Sequence, residues 1–560
     1  MELFSELSII LIVTLIISSI MRLLKQPLVI GYIISGLVVG PYFLGVLHSV
    51  ETIELFSKIG ITALLFVVGL GLSPKVLKEL GVVSLVTGLG QIFFTAIVGY
   101  FSSILLGFTP LESLYIALAL TFSSTIIVLK LLTDRGDTNK LYSRVAIGFL
   151  LVQDLVATIV LVVISGFANV SLSNPFDIAI NLGGLLGKGF LSLVILFFIT
   201  HHILNRLDNF ISKSQEYLFI ASLSWGMGIA ALYYYLGLSI EIGALVAGVT
   251  LSMTPYAQEV SSRLKPLRDF FITLFFVFLG SQMVLSNIGD LILPAVIFTL
   301  IIIIGNPLVV FVLMNLLGFS RKVNFQAGLL VAQIGEFSLI LATLGFTSGH
   351  ISQEVLSLIT LVGISTIIIS TYLVIYSDFI YRNIHKYLGF FEIKKLAYRK
   401  TKSQKLFDAI IVGYKRAGPE YERILQSVDM KYLIIDFNPD TISDLDERNI
   451  PNEYGDASDI EFLQELPFKN LKLLISTVSD YDTNILLVRT FRKENTQGVF
   501  ICMANTKDQA LRLYNEGATH VILSHWIGAK QASIMLSKLG FLHENYEKLK
   551  AKSIRSLTFD

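Results

Sequence analysis

From the N-terminus to about residue 378, apolar runs of about 20 residues follow one another, each long enough to cross a bilayer. Thirteen spans are expected, at 4–22, 28–47, 53–72, 80–106, 111–132, 143–166, 183–204, 215–236, 238–254, 269–285, 290–318, 323–347 and 353–377. Gly237 marks the break between the eighth and ninth. After about Asp378 charges become frequent, and short β-branched runs alternate with polar helical stretches. Strands are expected at Asp408–Gly413, Tyr432–Ile435, Leu473–Thr477, Val499–Ala504 and Val521–Leu523. Strands alternating with helices argue for a parallel α/β sheet. The pattern gives four parts: a transmembrane domain over 1–378, a basic linker over 379–405, a Rossmann-like domain over 406–540 and a tail over 541–560.

Composition agrees with the pattern. Of 560 residues 54% are hydrophobic and 15% charged, against about a quarter charged in a soluble domain. A net charge of +1 gives no sign of a nucleic-acid partner. The one cysteine, Cys502, excludes a disulfide framework and a multi-cysteine metal site. The N-terminal Met1-Glu2-Leu3-Phe4-Ser5-Glu6 lacks the basic patch of a cleavable signal, so the first apolar run is expected to be retained. Before residue 380 there are 17 Lys and Arg; with thirteen spans, fifteen fall on one side and only Lys58 and Lys188 on the other. The positive-inside rule then puts the N-terminus outside and the C-terminal domain in the cytoplasm of a multi-pass cell-membrane protein.

Polar groups at membrane depth carry the chemistry. Gln153-Asp154 interrupts the apolar run of the sixth span, and a carboxylate near the bilayer centre costs roughly 3 kcal/mol on insertion scales. Such a group is kept to carry a proton or hold a cation. Thr121-Phe122-Ser123-Ser124-Thr125 crowds hydroxyls into the fifth span, and Gln333-Ile334-Gly335-Glu336 does the same for polar groups in the twelfth. Both suit helices that unwind in the membrane, where freed backbone groups need partners or a wet cavity. The two spans lie seven apart, as corresponding members of inverted repeats would. Glu336 is then a structural charge facing the positive helix ends, and Gly305-Asn306-Pro307 is a kink in the eleventh span. No Lys or Arg lies centrally in any expected span, so Asp154 is expected to manage its charge with ions.

These motifs resemble the Kef-type monovalent cation:proton antiporters, which exchange potassium for protons. The matching residues are Ser123-Ser124-Thr125, Ile127-Val128-Leu129, Gln153-Asp154, Leu236-Gly237-Leu238-Ser239, Gly243-Ala244, Ala247-Gly248, Phe275-Phe276-Val277 with Gly280, and Gly335-Glu336-Phe337. The resemblance implies two crossed broken helices, a homodimer in membrane lipid, and alternating access. It implies a cation and proton site at Asp154, Gln153, Ser123, Ser124 and Thr125, and a structural set of Glu336, Gln333 and Asn306 at the crossing. Many relatives carry a basic residue where this chain has Asn306, so an electrogenic cycle depending on that residue is not expected. Gln153, where sodium exchangers often have Asp or Asn, favours K+ over Na+. Burial disfavours a bare carboxylate, so Asp154 is expected to take a proton or K+ in competition, with no metal beyond the transported ion.

In the C-terminal domain, Gly413-Tyr414-Lys415-Arg416-Ala417-Gly418 follows a strand, and Asp436 ends the next strand 23 positions after Gly413. That is close to the Rossmann spacing at which an acid meets a ribose. The segment, with Gly455-Asp456-Ala457 and Glu516-Gly517-Ala518, resembles the Trk-type (RCK N-terminal) nucleotide-binding regulatory domain. The resemblance implies AMP, ATP or NAD(H) held by Gly413, Lys415, Arg416, Gly418, Asp436 and Asp456. Lys415 replaces the glycine that lets the backbone approach the pyrophosphate, so the alternative is a domain that only dimerises. Other classes fare worse. The chain lacks a Thr-Val-Gly-Tyr-Gly filter, which weakens a ligand-gated potassium channel. A dehydrogenase lacks a substrate domain, so no enzyme is expected. A Na+/H+ antiporter is the nearest alternative.

Overall fold

The computed structural model describes residues 2–71, 81–138, 140–167, 215–254, 256–284, 288–388, 407–415, 417–455 and 460–540, with a few isolated positions. The chain divides into two compact units whose main boundary lies at Glu392–Ile393.

Twelve of the thirteen expected spans fall on helices of the first unit. The seventh, 183–204, lies outside the described residues, so the count of thirteen stays an expectation. Among the described residues eight helices are long and apolar enough to cross a membrane, with shorter apolar helices at Leu28–Val39, Ile240–Leu251 and Glu336–Thr347. Large apolar side chains such as Leu15, Phe93 and Leu293 are exposed, as expected where lipid is the solvent. Gly237, at φ +78°, separates Gln215–Tyr235 from Ile240–Leu251. An L side chain would be strained there.

Two helices are broken. The first runs Pro110–Thr121, opens at Phe122–Ser124, and resumes as Thr125–Asp134. Its start is fixed by a capping box of Thr109 and Glu112, and its second half is capped by the Ser124 hydroxyl, which accepts from Ile127 N at 3.3 Å. The second runs Arg321–Leu329 and resumes as Glu336–Thr347. The order around both breaks is alike. A helix precedes each (Val82–Leu105; Ile288–Leu316 with a π segment at Ile301–Gly305), and another follows (Leu141–Phe167; Gln353–Ile375).

The breaks cross in contact. Phe122 O accepts from Gly335 N at 2.7 Å and from Ser338 Oγ at 3.1 Å. A Cβ on Gly335 would lie 2.8 Å from the Ser123 carbonyl carbon, so only glycine permits this approach. The second break is also held from its other side: Ser370 Oγ donates to Gln333 Oε1 at 2.7 Å, and Thr366 Oγ1 accepts from Ile334 N at 3.3 Å.

The span placed at 28–47 is helical only over Leu28–Val39, and a second boundary differs further. The span placed at 269–285 belongs to a helix that starts twelve residues earlier, Ala257–Ser281. Its first half is polar and contains Pro266, which hides it from a hydropathy reading. Arg268 is therefore interior to that helix, not at its end.

The second unit carries a parallel sheet of β1 (Ala409–Val412), β2 (Tyr432–Asp436), β3 (Asn452–Tyr454), β4 (Leu473–Ser476), β5 (Val499–Ala504) and β6 (His520–Leu523). The order is 3-2-1-4-5-6, with Ala409 aligned to Tyr432 on one side and Leu473 on the other. This is the doubly wound order of dinucleotide folds, whose ligand crevice lies at the β1/β4 switch point. Strand β3 had no apolar signal: Asn452, Glu453 and Tyr454 form a half-buried edge.

Candidate functional site

Asp154 lies on Leu141–Phe167, whose apolar sequence leaves this carboxylate and Gln153 as its midpoint interruption. The helix brings both against the first break. Thr125 Oγ1 donates to Asp154 Oδ2 at 2.8 Å. Thr125 is the first residue of the resumed helix, so the break itself aims the hydroxyl at the carboxylate. Among the described residues no Lys or Arg forms an ion pair with Asp154. Glu336, the first residue after the second break, interacts electrostatically with Asp154. Glu336 in turn feels Arg268 and Asp269, which pair with each other at 2.7 Å. The two charges act on Glu336 in opposite senses.

Gln153 is fully buried, and both ends of its amide are engaged with groups other than Asp154. Its Oε1 accepts from Ser123 N at 3.2 Å, and its Nε2 donates to Gln91 Oε1 at 2.6 Å. Gln91 Nε2 donates to Thr95 Oγ1 at 3.1 Å, Thr95 Oγ1 to Asn306 Oδ1 at 2.7 Å, and Asn306 Nδ2 to Val331 O at 3.3 Å. Ser123 Oγ reaches the same Val331 carbonyl at 3.4 Å. Asn306 is thus more than a kink residue: the π segment ends at Gly305 and sets it beside Thr95. π-bulges recur at functional sites. Ser124 caps its helix, its hydroxyl accepting from Ile127 N.

Sequence reasoning missed Gln91 and Thr95. Both are buried on Val82–Leu105, four apart on one helical face. That spacing was their only signal.

Farther along the same helices a cavity is lined by Glu54, Lys58, Leu161, Glu241, Ile340 and Thr343 among others. Leu161 is seven residues beyond Asp154 and Ile340 four beyond Glu336, or about 10 Å and 6 Å along a helix. Glu54 pairs with Lys58 at 2.9 Å.

On the N-terminal side of the same helix a charged cluster closes the first broken helix. Arg135 donates to Asp137 at 3.0 Å and to Asp378 at 2.8 Å, and Lys140 reaches Asp137 at 2.7 Å. Burial pushes the Asp137 carboxyl up. Hydrogen bonds from Lys140 and Tyr142 and the charges of Lys140 and Arg135 outweigh it and hold the group below the usual carboxylate range.

In the second unit, Gly413 ends β1 with φ +85°, and Lys415 is exposed on the turn. Gly418 opens the next helix and packs on the Tyr414 ring. Asp436 comes to this turn, as the spacing suggests, but both its oxygens accept backbone donors: Tyr414 N and Asn438 N, each at 2.8 Å. Arg416 and Asp456 lie outside the described residues. Tyr414, not singled out from sequence, is buried; its hydroxyl donates to Glu422 at 2.5 Å and accepts from Arg448 at 3.0 Å. Burial, then the Glu422 bond, raises its pKa.

Comparison with known proteins accords with this arrangement. A family model described as "Sodium/hydrogen exchanger, transmembrane" matches residues 8–375, and one described as "TrkA-N domain" matches residues 409–524. The "Putative cation/proton antiporter YbaL" of Escherichia coli (strain K12) is 26% identical over 518 residues, covering 90% of this chain and 91% of that protein. Two Arabidopsis thaliana proteins are similar over the membrane part. "K(+) efflux antiporter 5" is 29% identical over 357 residues, 61% of this chain and 60% of that one. "K(+) efflux antiporter 4" is 30% identical over 324 residues, 56% and 54%. The chain spans less than two thirds of the length of these plant proteins. The exchanger match takes in well over half of the 560 residues, and the chain belongs to the sodium/hydrogen exchanger family, as a Kef-type cation:proton antiporter of the membrane with a C-terminal TrkA-N domain.

Proposed function

We propose that this antiporter exchanges K+ for H+ by alternating access, with Asp154 taking either ion in competition. The observation that carries the reading is the Thr125–Asp154 hydrogen bond at the crossing of two broken helices, with no ion-paired base among the described residues. A carboxylate in that setting is stable when neutralised by a proton or a cation and is costly bare. The Thr125 hydroxyl offers an additional oxygen to a dehydrated cation. Both neutral forms can cross, while the bare form cannot, which couples the two fluxes. One titrating carrier gives 1:1 electroneutral exchange. Glu336, the first residue after the second break, has a structural role at the crossing.

Potassium is favoured by the names of the plant relatives; Na+ is the competing cargo. The bias of Lys and Arg supports an orientation with the N-terminus outside and the TrkA-N domain in the cytoplasm. The cavity containing Glu54 and Glu241 is then on the outer approach to Asp154. The protein works as a homodimer in lipid, and its TrkA-N domain regulates transport by binding AMP, ATP or NAD(H) at the Gly413–Gly418 turn. Cation-dependent proton exchange in liposomes, comparing K+ with Na+, tests the reading. Equal or greater response to Na+ would replace the cargo assignment.

A further inference from the structure

We propose that Gln91 and Thr95 are positioning residues for exchange: with Gln153 and Asn306 they form a charge-free hydrogen-bond circuit that fixes the two helix breaks against each other. The inference rests on the exchange reading for its transport consequence, but the circuit itself is geometric. It begins at Ser123 N, in the first break, and ends at Val331 O, in the second. An N–H can only donate and a carbonyl can only accept. The two ends therefore dictate the direction of every link between them. Ser123 N donates to Gln153, Gln153 to Gln91, Gln91 to Thr95, Thr95 to Asn306, and Asn306 to Val331. Ser123 Oγ, also bonded to Val331 O, closes the ring.

All four side chains between the ends are at most 2% exposed. Amides and hydroxyls do not take up or release protons near neutrality, so the circuit is a strut and not a proton wire. Its ends fall on backbone groups freed by unwinding, the groups that most need partners in a membrane. It joins helix Val82–Leu105, helix Leu141–Phe167 and helix Asn306–Leu316 to both breaks. Thr125 sits two residues from Ser123 on the same break, and Asp154 one residue from Gln153 on the same helix. A shift between the breaks is a shift in the site. Gln153 accordingly acts through Ser123, with its carbonyl oxygen already engaged.

Thr95 is the critical link, because one oxygen both accepts from Gln91 and donates to Asn306. Thr95→Val keeps the shape and removes both bonds; Thr95→Ser keeps both. In proteoliposomes Thr95→Val is expected to raise the half-saturating cation concentration about tenfold, with a smaller change in maximal rate, and Thr95→Ser to stay within about twofold of wild type. Hydrogen exchange read by mass spectrometry on peptides covering 119–127 and 330–337 should rise in Thr95→Val and not in Thr95→Ser. Unchanged protection at both breaks would overturn the circuit as a tie. Raised protection loss with unchanged half-saturation would overturn its positioning role. If wild type exchanges no cation for protons, the exchange reading falls, and the protection measurement still decides the tie.

Discussion

Replacing Gly335 by alanine tests the crossing most sharply among structural changes. The added Cβ would lie 2.8, 2.9 and 3.0 Å from Ser123 C, Ser123 O and Ser124 N, all backbone atoms that cannot swing aside. Ordinary contact begins at 3.4 Å, so the breaks must separate by about 0.6 Å. The Gly335 N to Phe122 O bond, now 2.7 Å, would stretch to about 3.3 Å, past the normal range. Overpacking of this kind costs about 1–3 kcal/mol, and the weakened hydrogen bond adds about 1 kcal/mol. Gly228→Ala is the control, since Gly228 is helical and exposed with nothing within 4 Å of its added Cβ. Alanine there should be neutral or stabilising by up to about 1 kcal/mol. Thermal unfolding in detergent, with exchange measured in liposomes, should show Gly335→Ala melting lower and transporting more slowly while Gly228→Ala does neither. Wild-type melting and transport in Gly335→Ala would refute the crossing geometry.

Other consequences follow from single side chains. Ser370→Ala leaves the Gln333 carbonyl oxygen unpartnered in the buried second break and should lower stability by about 1–3 kcal/mol; an unchanged melting point counts against that bond. Asp137 has a folded pKa below its unfolded value, so its stabilisation is present above about pH 4 and is lost only as pH falls through the depressed value. Asp137→Asn should therefore lower the melting temperature equally at pH 6 and pH 8; a loss confined to one of them would contradict the sign. Asp436→Ala removes the acceptor of two turn N–H groups and should destabilise the TrkA-N unit by about 1–3 kcal/mol. Calorimetry on the full chain should also show weaker nucleotide binding, and undiminished affinity would remove Asp436 from the ligand site.

Much of the architecture was legible because membranes punish polar atoms. The hydroxyl run Ser123-Ser124-Thr125 and the Gly335-Glu336 pair marked the breaks, and Asp154 stood out in an apolar helix. The Rossmann-like domain showed itself through buried strands and the spacing of Gly413 to Asp436. Pairings between distant residues did not show. Thr95 bonds Asn306 across 211 positions, and a lone Thr in an apolar helix looks like any other. Gln153 seemed an ion ligand by adjacency to Asp154, whereas helical geometry turns it toward Ser123 and Gln91. Arg268 looked like a loop residue because the polar start of Ala257–Ser281 resembles no membrane span. Strand β3 was missed because an edge strand needs no apolar alternation.

The central claim is that Asp154 carries the exchanged ions. Proton exchange driven by K+ in liposomes, with wild type and Asp154→Asn reconstituted at equal density, tests it directly. The side chain of asparagine keeps the size and can still accept from Thr125, but it can neither take up a proton nor neutralise a cation. The account predicts wild-type exchange that saturates with K+ and falls to background in Asp154→Asn, with the variant folded and melting near the wild-type temperature. Exchange by Asp154→Asn at the wild-type rate would contradict it.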